Sequence, residues 1–164
     1  MTDLTPYLAT IASVAAQPGQ PAPLFRALDA ALAAVIGHKL FTILVIHPGA
    51  KESQRYYTNQ PQAYPIGGRK PITESWWFKK VVFGGEPWIG RNYADVQAAF
   101  FDHELIRSLG CESALNIPVR WNGTTLGTLN LLDEEGHYTD AHLPTAKLLA
   151  AAAVPGLMQV IAAG

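Results

Sequence analysis

Ser113–Trp121 (SALNIPVRW) and Thr124–Leu132 (TTLGTLNLL) flank the dipeptide Asn122-Gly123. Asn and Gly both tolerate the positive φ that a tight two-residue turn demands, and apolar residues recur on either side, so the stretch reads as a β-hairpin. A two-residue turn sets the register: Val119 faces Leu126, Ile117 faces Thr128 and Leu115 faces Asn130. Asn116, Pro118, Gly127 and Leu129 then fall on the opposite face. Asn116, Thr128 and Asn130 are polar residues in otherwise apolar strands, and each needs a partner if buried. A ligand or another protein group serves equally. With Asn116 on one face and Thr128 and Asn130 on the other, only one set lines a pocket, and Asn116 is favoured.

The rest of the chain extends outward from this hairpin. Leu40–His47 (LFTILVIH) is short, β-branched and apolar on both alternating faces, which predicts a central strand covered on both sides. Pro48-Gly49 turns it, and Ser53 to Thr58 reads as its partner. Residues 64–72 read as irregular, 74–83 as a short helix stopped by Gly84-Gly85, 86–89 as a short edge strand and 93–109 as helical in part. At the N-terminus, Tyr7, Leu8, Ile11, Val14 and Ala15 repeat at helical spacing; a second amphipathic helix runs from Leu24 to Ile36 with Gly37 as its C-cap. Thr139-Asp140 starts a last helix, which is expected to end or kink near Val154, before Pro155-Gly156. This order predicts an α+β domain with helices packed on an antiparallel sheet, divided into an N-terminal helix and linker over 1–20 and the domain proper over 21–164.

Bulk properties narrow the function classes. A chain of 164 residues buries a sizeable core in one domain. Its 49% hydrophobic and 15% charged content is apolar for a globular domain, and predicts that a ligand or a second subunit covers some surface. The net charge of −1 and the lack of a basic run exclude a nucleic-acid footprint. The sequence predicts no apolar run that spans a bilayer, and Met1-Thr2-Asp3 does not open a signal peptide. A single cysteine, Cys111, forms no internal disulfide and fits a cytoplasmic protein.

Three motifs in order resemble the GAF domain family. Leu109-Gly110-Cys111-Glu112-Ser113-Ala114-Leu115-Asn116-Ile117-Pro118-Val119, the Asn-Gly turn and Leu126-Gly127-Thr128-Leu129-Asn130-Leu131 match its serine, alternating apolar strand, proline, hairpin and return strand. Gly84-Gly85-Glu86-Pro87-Trp88 resembles its "GEP" edge strand, and Tyr138-Thr139-Asp140 the start of its final helix. The resemblance spans roughly Leu24 to Leu157. It implies a five- or six-stranded antiparallel sheet with the terminal helices on one face and a ligand pocket on the other, roofed by the excursion over 64–109. GAF domains commonly bind cyclic nucleotides, chromophores, haem or small metabolites there, and many dimerise through their terminal helices. The residue set that marks cyclic-nucleotide binding is not found here, nor is the setting of a bilin-bearing cysteine.

The candidate ligand-binding residues follow. The excursion is rich in aromatics, among them Tyr64, Phe100 and Phe101, as a pocket wall is, although aromatics also serve as plain core. Trp88 and one of Trp76 and Trp77 are the preferred contacts, since consecutive helical positions diverge by about 100°. Arg91 is a candidate clamp for an anion, otherwise a solvated loop arginine. His103 is a candidate hydrogen-bond partner or base, and Cys111 a candidate nucleophile, with exposed polar helix and buried small residue as their respective alternatives. A GAF branch, the free methionine-(R)-sulfoxide reductases, uses a cysteine in this neighbourhood, but resolves it with further cysteines that this chain lacks. His38, His47, His137 and His142 form no zinc-like cluster, and no cofactor signature is evident. The expectation is a sensory module that binds a small molecule, pairs as a homodimer through its first and last helices, and acts through a separate output protein. The alternative is a small enzyme using Cys111 or His103 for redox or hydrolytic chemistry on a metabolite.

Overall fold

The computed structural model describes residues 2–164. The hairpin closes where the sequence places it: Asn122 and Gly123 take φ of 50° and 76°, and Trp121 pairs with Thr124 and Arg120 with Thr125. Beyond that point the register departs from expectation. A bulge between Val119 and Arg120 places Gly127, not Leu126, opposite Val119, so that Leu129 faces Ile117 and Leu131 faces Leu115. The shift has a packing reason. Leu126 is the extra residue, and it joins Val119, Leu129 and Leu131 in the core under the helices. Arg120 pins the turn end by donating to Thr125 Oγ1 at 2.7 Å and to the Gly123 carbonyl at 3.1 Å. Asn116 now lies opposite Asn130, which corrects the expectation that they sit on different faces.

These strands, β5 (Ser113–Trp121) and β6 (Thr124–Asp133), continue into β1 (Leu40–His47), β2 (Glu52–Thr58), β3 (Arg69–Pro71) and β4 (Trp88–Gly90). The sheet has six strands in the order β3-β2-β1-β6-β5-β4, each neighbour antiparallel. β1 and β6 are central, as their near-continuous apolar sequences require. β3 was expected to be irregular. Its three residues are exposed and pair with β2 through backbone alone, leaving no hydrophobic pattern to read.

One face of the sheet carries α1 (Thr5–Ala15), α2 (Ala22–Val35) and α5 (Leu143–Ala163). Phe25, Leu28 and Leu32 of α2 and Leu149, Ala153 and Leu157 of α5 bury against Phe41, Ile43, Val45, Ile117 and Leu131. α1 docks on α2 and sinks Ile11 into the same core. Gly37, at φ 96°, ends α2, its N–H reaching the Leu32 carbonyl at 2.9 Å. α5 does not stop at Val154; it runs through Pro155 to Ala163. Pro155 and Ala151, whose carbonyl loses its intrahelical donor, both lie on the exposed side, open to solvent, while Ala153, Gly156, Leu157 and Val160 hold the helix to the core. The continuous helix, with the turn before it, is long and apolar enough by length and composition to cross a bilayer, a feature that ending it at Val154 concealed; here its apolar stripe packs on the sheet as a core helix.

A capping box precedes α5. Thr139 caps the short turn Asp140–His142, and the Thr139 N–H donates back to His142 Nδ1 at 3.1 Å. That nitrogen must therefore be unprotonated. Loss of solvation, and then the neighbouring His137 ring stacked 5.9 Å away, hold His142 below its ordinary value. The unfolded chain thus takes up this proton first, so the contribution of His142 is whole above its unfolded value of 6.5 and is lost as the pH falls below it. Gln at the same position keeps the cap without titrating. His142→Gln is expected to flatten the loss of stability between about pH 8 and about pH 5, read as urea midpoints; an unchanged slope would assign it to other groups.

Candidate functional site

The other face of the sheet is roofed by the excursion between β2 and β5, which contains β3, a π-helix (Phe78–Phe83), β4, α3 (Tyr93–Ala99) and α4 (His103–Ser108). The sequence predicted an ordinary helix over 74–83; the structure has one turn at Trp76-Trp77 and then the wider π-helix, ending at Gly84, whose N–H bonds the Lys79 carbonyl at 2.8 Å. Between roof and sheet lies a cavity of about 660 Å³. Its floor is Thr42 and Leu44 from β1, Ser53 and Arg55 from β2, and Asn130 and Leu132 from β6. Lys70 and Pro71 of β3 and the Gly67-Gly68 loop form one wall. Trp77, Phe78, Phe100, Phe101 and Ile106 form the roof.

A chain of side-chain hydrogen bonds runs beneath Trp77. The indole N–H donates to Asn116 Oδ1 at 3.0 Å, Asn116 Nδ2 donates to Asn130 Oδ1 at 2.8 Å, and Asn130 Nδ2 donates to Thr42 Oγ1 at 3.2 Å. Thr128 Oγ1 adds a second donor to Asn130 Oδ1 at 2.9 Å. An indole N–H only donates, so it fixes the orientation of Asn116, and Asn116 fixes that of Asn130. The register shift is what makes this chain possible, by placing all three polar strand residues on the cavity side.

The charges are arranged in a second group. Asp102 accepts the Tyr64 hydroxyl at 2.5 Å and faces the Arg55 guanidinium at 3.7 Å. Arg55 also lies 3.7 Å above the Tyr64 ring and donates to the Pro65 carbonyl at 2.8 Å. Burial first, then the Asp102 charge, push the Tyr64 phenol up, so it stays protonated and donating. Lys70 makes no ion pair among the described residues; its Nζ sits 4.9 Å over the ring of Phe101, which is 82% exposed at the cavity mouth.

The candidates from sequence divide sharply. Trp77 and Phe101 line the cavity. Trp76 points outward, donating to the Ala98 carbonyl at 3.2 Å and packing on Trp88 at 5.3 Å. Trp88 stands behind Phe100, 6.1 Å from it, in the outer layer of the roof. Asn116 is fully buried behind Trp77 and reaches the cavity only through Asn130. Arg91 is an exposed partner of Asp140 at 3.5 Å, beside a shallow cleft next to β4. His103 Nδ1 bonds the Tyr93 hydroxyl at 2.7 Å, away from the cavity. Thr42, Ser53, Arg55, Lys70 and Asp102 line the cavity and are not among the sequence candidates. Thr42 had a readable signal, as a lone hydroxyl amid the apolar residues of β1.

Cys111 is buried one layer behind the wall, packed with Leu40, Tyr64, Ile106 and Leu132. Burial first, and then Asp133, push its thiol up to about 11, against the opposing charge of Lys39. Among the described residues no group of histidine, cysteine and acidic side chains has the makings of a metal site. Iodoacetamide near neutral pH is expected to alkylate native Cys111 about a hundredfold more slowly than the unfolded chain, because the thiolate is the nucleophile and is that much scarcer. Equal rates in the two states, followed by mass spectrometry, would show that the thiol is open to reagents.

The decisive comparison is of whole folds. A GAF domain from a phosphoenolpyruvate-protein phosphotransferase of Coxiella burnetii superposes with a TM-score of 0.76 at 18% identity, over 98% of this chain and 96% of that one. The fold is that of a GAF domain. The corresponding GAF domain from Acinetobacter gives 0.76 at 11% identity, over 100% and 98% of the two chains. A free methionine-R-sulfoxide reductase from Neisseria meningitidis, solved in complex with its substrate, gives 0.67 at 16% identity, over 96% and 92%. No family model matches the sequence, and no curated protein does either. The GAF fold accounts for the six-stranded sheet, for the helices on one face and for the roofed opposite face.

Proposed function

We propose that this GAF-fold chain is a small-molecule sensor whose ligand lies between the sheet and the aromatic roof. The observation that carries it is the cavity of about 660 Å³, walled by apolar and aromatic side chains with a few placed polar groups. A plain structural domain would fill such a space. The likeness to a reductase solved with its substrate adds that this fold accommodates a small molecule. Neither Cys111 nor His103 lines the cavity, so the reading assigns the chain recognition and not covalent chemistry, with the bound state passed to a separate output protein.

The test is a thermal-shift screen with nucleotides, amino acids, sulfoxides and aromatic acids. A ligand at a hundred times its Kd stabilises by about 2.7 kcal/mol, a visible rise in Tm. No shift across the panel, together with no small molecule in the extract of the denatured protein, would overturn the reading.

The sensor is proposed to act as a homodimer. Leu148 and Met158 stand 53% and 43% exposed on α5, in a helix otherwise rich in alanine that allows close approach. Light scattering after size exclusion is expected to give twice the 17.7 kDa chain mass; a monomer at micromolar concentration would remove this part.

A further inference from the structure

The inner floor of the cavity presents two unpaired protons, and this constrains what it takes. Asn130 Oδ1 already accepts two hydrogen bonds, from Asn116 and Thr128, and one N–H of its Nδ2 goes to Thr42 Oγ1. The other N–H of Asn130 and the hydroxyl proton of Thr42 have no acceptor among the described residues. Both residues line the cavity floor, where the donor-only indole of Trp77 has fixed the amide that way round. The acidic group of the site, Asp102, already accepts from Tyr64 and faces Arg55 through its Oδ2. Arg55 is likewise neutralised, which leaves Lys70 at the mouth as the lining cation without an anion. Next to it on the neighbouring strand, the Ser53 hydroxyl has no protein partner among the described residues either.

We propose that the ligand is a monoanion with a flat apolar body and a neutral acceptor at its far end. This deepens the sensor reading and rests on it. The acceptor, a carbonyl-type oxygen, takes the protons of Asn130 and Thr42. The body lies between Leu44 and Leu132 below and Trp77 and Phe100 above. The anionic group, a carboxylate, meets Lys70 at the mouth and reaches the Ser53 hydroxyl on the adjoining strand. The ends are assigned in this order because a charge is costly to bury against neutral donors alone, whereas at the mouth it keeps water and a counter-charge. A cationic ligand finds the lining carboxylate already engaged by Tyr64 and Arg55, and a ligand that only donates leaves the second N–H of Asn130 unpaired.

The experiment uses the full chain and a matched set: para-acetylphenylpropanoate, its amide, its para-ethyl analogue, and the para-acetylphenyl amine of similar length. Affinities are read by isothermal titration. The keto acid is expected to bind best. Loss of the carboxylate charge costs about fivefold, as for a partly exposed ion pair, and loss of the acceptor about tenfold, because two floor donors go unpaired. Lys70→Met lies on an exposed edge strand away from the core, and is expected to remove the preference for acid over amide. Thr42→Val is expected to remove most of the preference for acetyl over ethyl. If the amide or the amine binds as well as the acid, or Lys70→Met leaves the acid preference intact, this ligand class is overturned while small-molecule binding stands. If no member of the set binds, and the wider screen is also flat, class and sensor reading fall together.

Discussion

Gly127→Ala is expected to cost about 4 kcal/mol or to prevent folding, although it adds a single methyl group. The position belongs to β6, between Val45 of β1 and Val119 of β5. A Cβ built there lies 2.0 Å from the Leu44 carbonyl oxygen and 2.6 Å from Leu157 Cδ2 of α5. Leu157 Cδ2 is the far end of a side chain; the Leu44 carbonyl belongs to the central ladder and moves only if β1 and β6 separate. Gly156 of α5, where an added Cβ meets the Phe25 and Leu24 side chains at 2.7 and 3.0 Å, offers the comparison. There the obstacles are side chains, so Gly156→Ala is expected to cost less. Urea denaturation of both variants, followed by far-UV circular dichroism, decides it. A Gly127→Ala protein as stable as the parent would mean that the bulge beside Val119 is free to migrate and take up the methyl group.

That bulge also marks the limit of what the sequence discloses. The Asn-Gly turn, the apolar run of β1 and the Gly37 cap are local signals, and each element lies where its residues put it. The register of β5 against β6 is not local. It depends on whether Leu126 is drawn into the core under α5, and an alternation rule counted from the turn cannot contain that choice. One residue of slip moved Thr128 and Asn130 to the face of Asn116, and with them the character of the cavity floor. Similar reasons hid the rest. Lys70 sits on three exposed residues with no pattern, and reaches the cavity because β3 adds to the sheet edge through backbone bonds. Trp88 and Arg91 occupy a conspicuous stretch, but Phe100 comes between Trp88 and the cavity and Asp140 draws Arg91 away. Aromatic content thus located the roof as a whole without distinguishing its inner layer from its outer one.

The second large effect concerns the link between that roof and the floor. Asn116→Leu is expected to cost about 3 kcal/mol, because it strands the indole N–H of Trp77 and deprives Asn130 Oδ1 of one donor in a buried setting. Trp77→Phe alone strands Asn116 Oδ1 instead. With both changes the orphaned pair disappears, and the double variant is expected to be about 2 kcal/mol more stable than the sum of the single losses allows. Strict additivity in this cycle, measured by urea denaturation, would mean that the indole–amide bond contributes nothing to the fold. The same substitution bears on recognition. Without Asn116 Nδ2, the remaining close partner of Asn130 Oδ1 is the Thr128 hydroxyl, which donates or accepts with equal ease. Asn130 is then free to turn its amide over and present oxygen where it had presented N–H. The single donor-only indole would no longer polarise the floor, and a ligand held through its acceptor should lose affinity in Asn116→Leu even where the roof still closes over it.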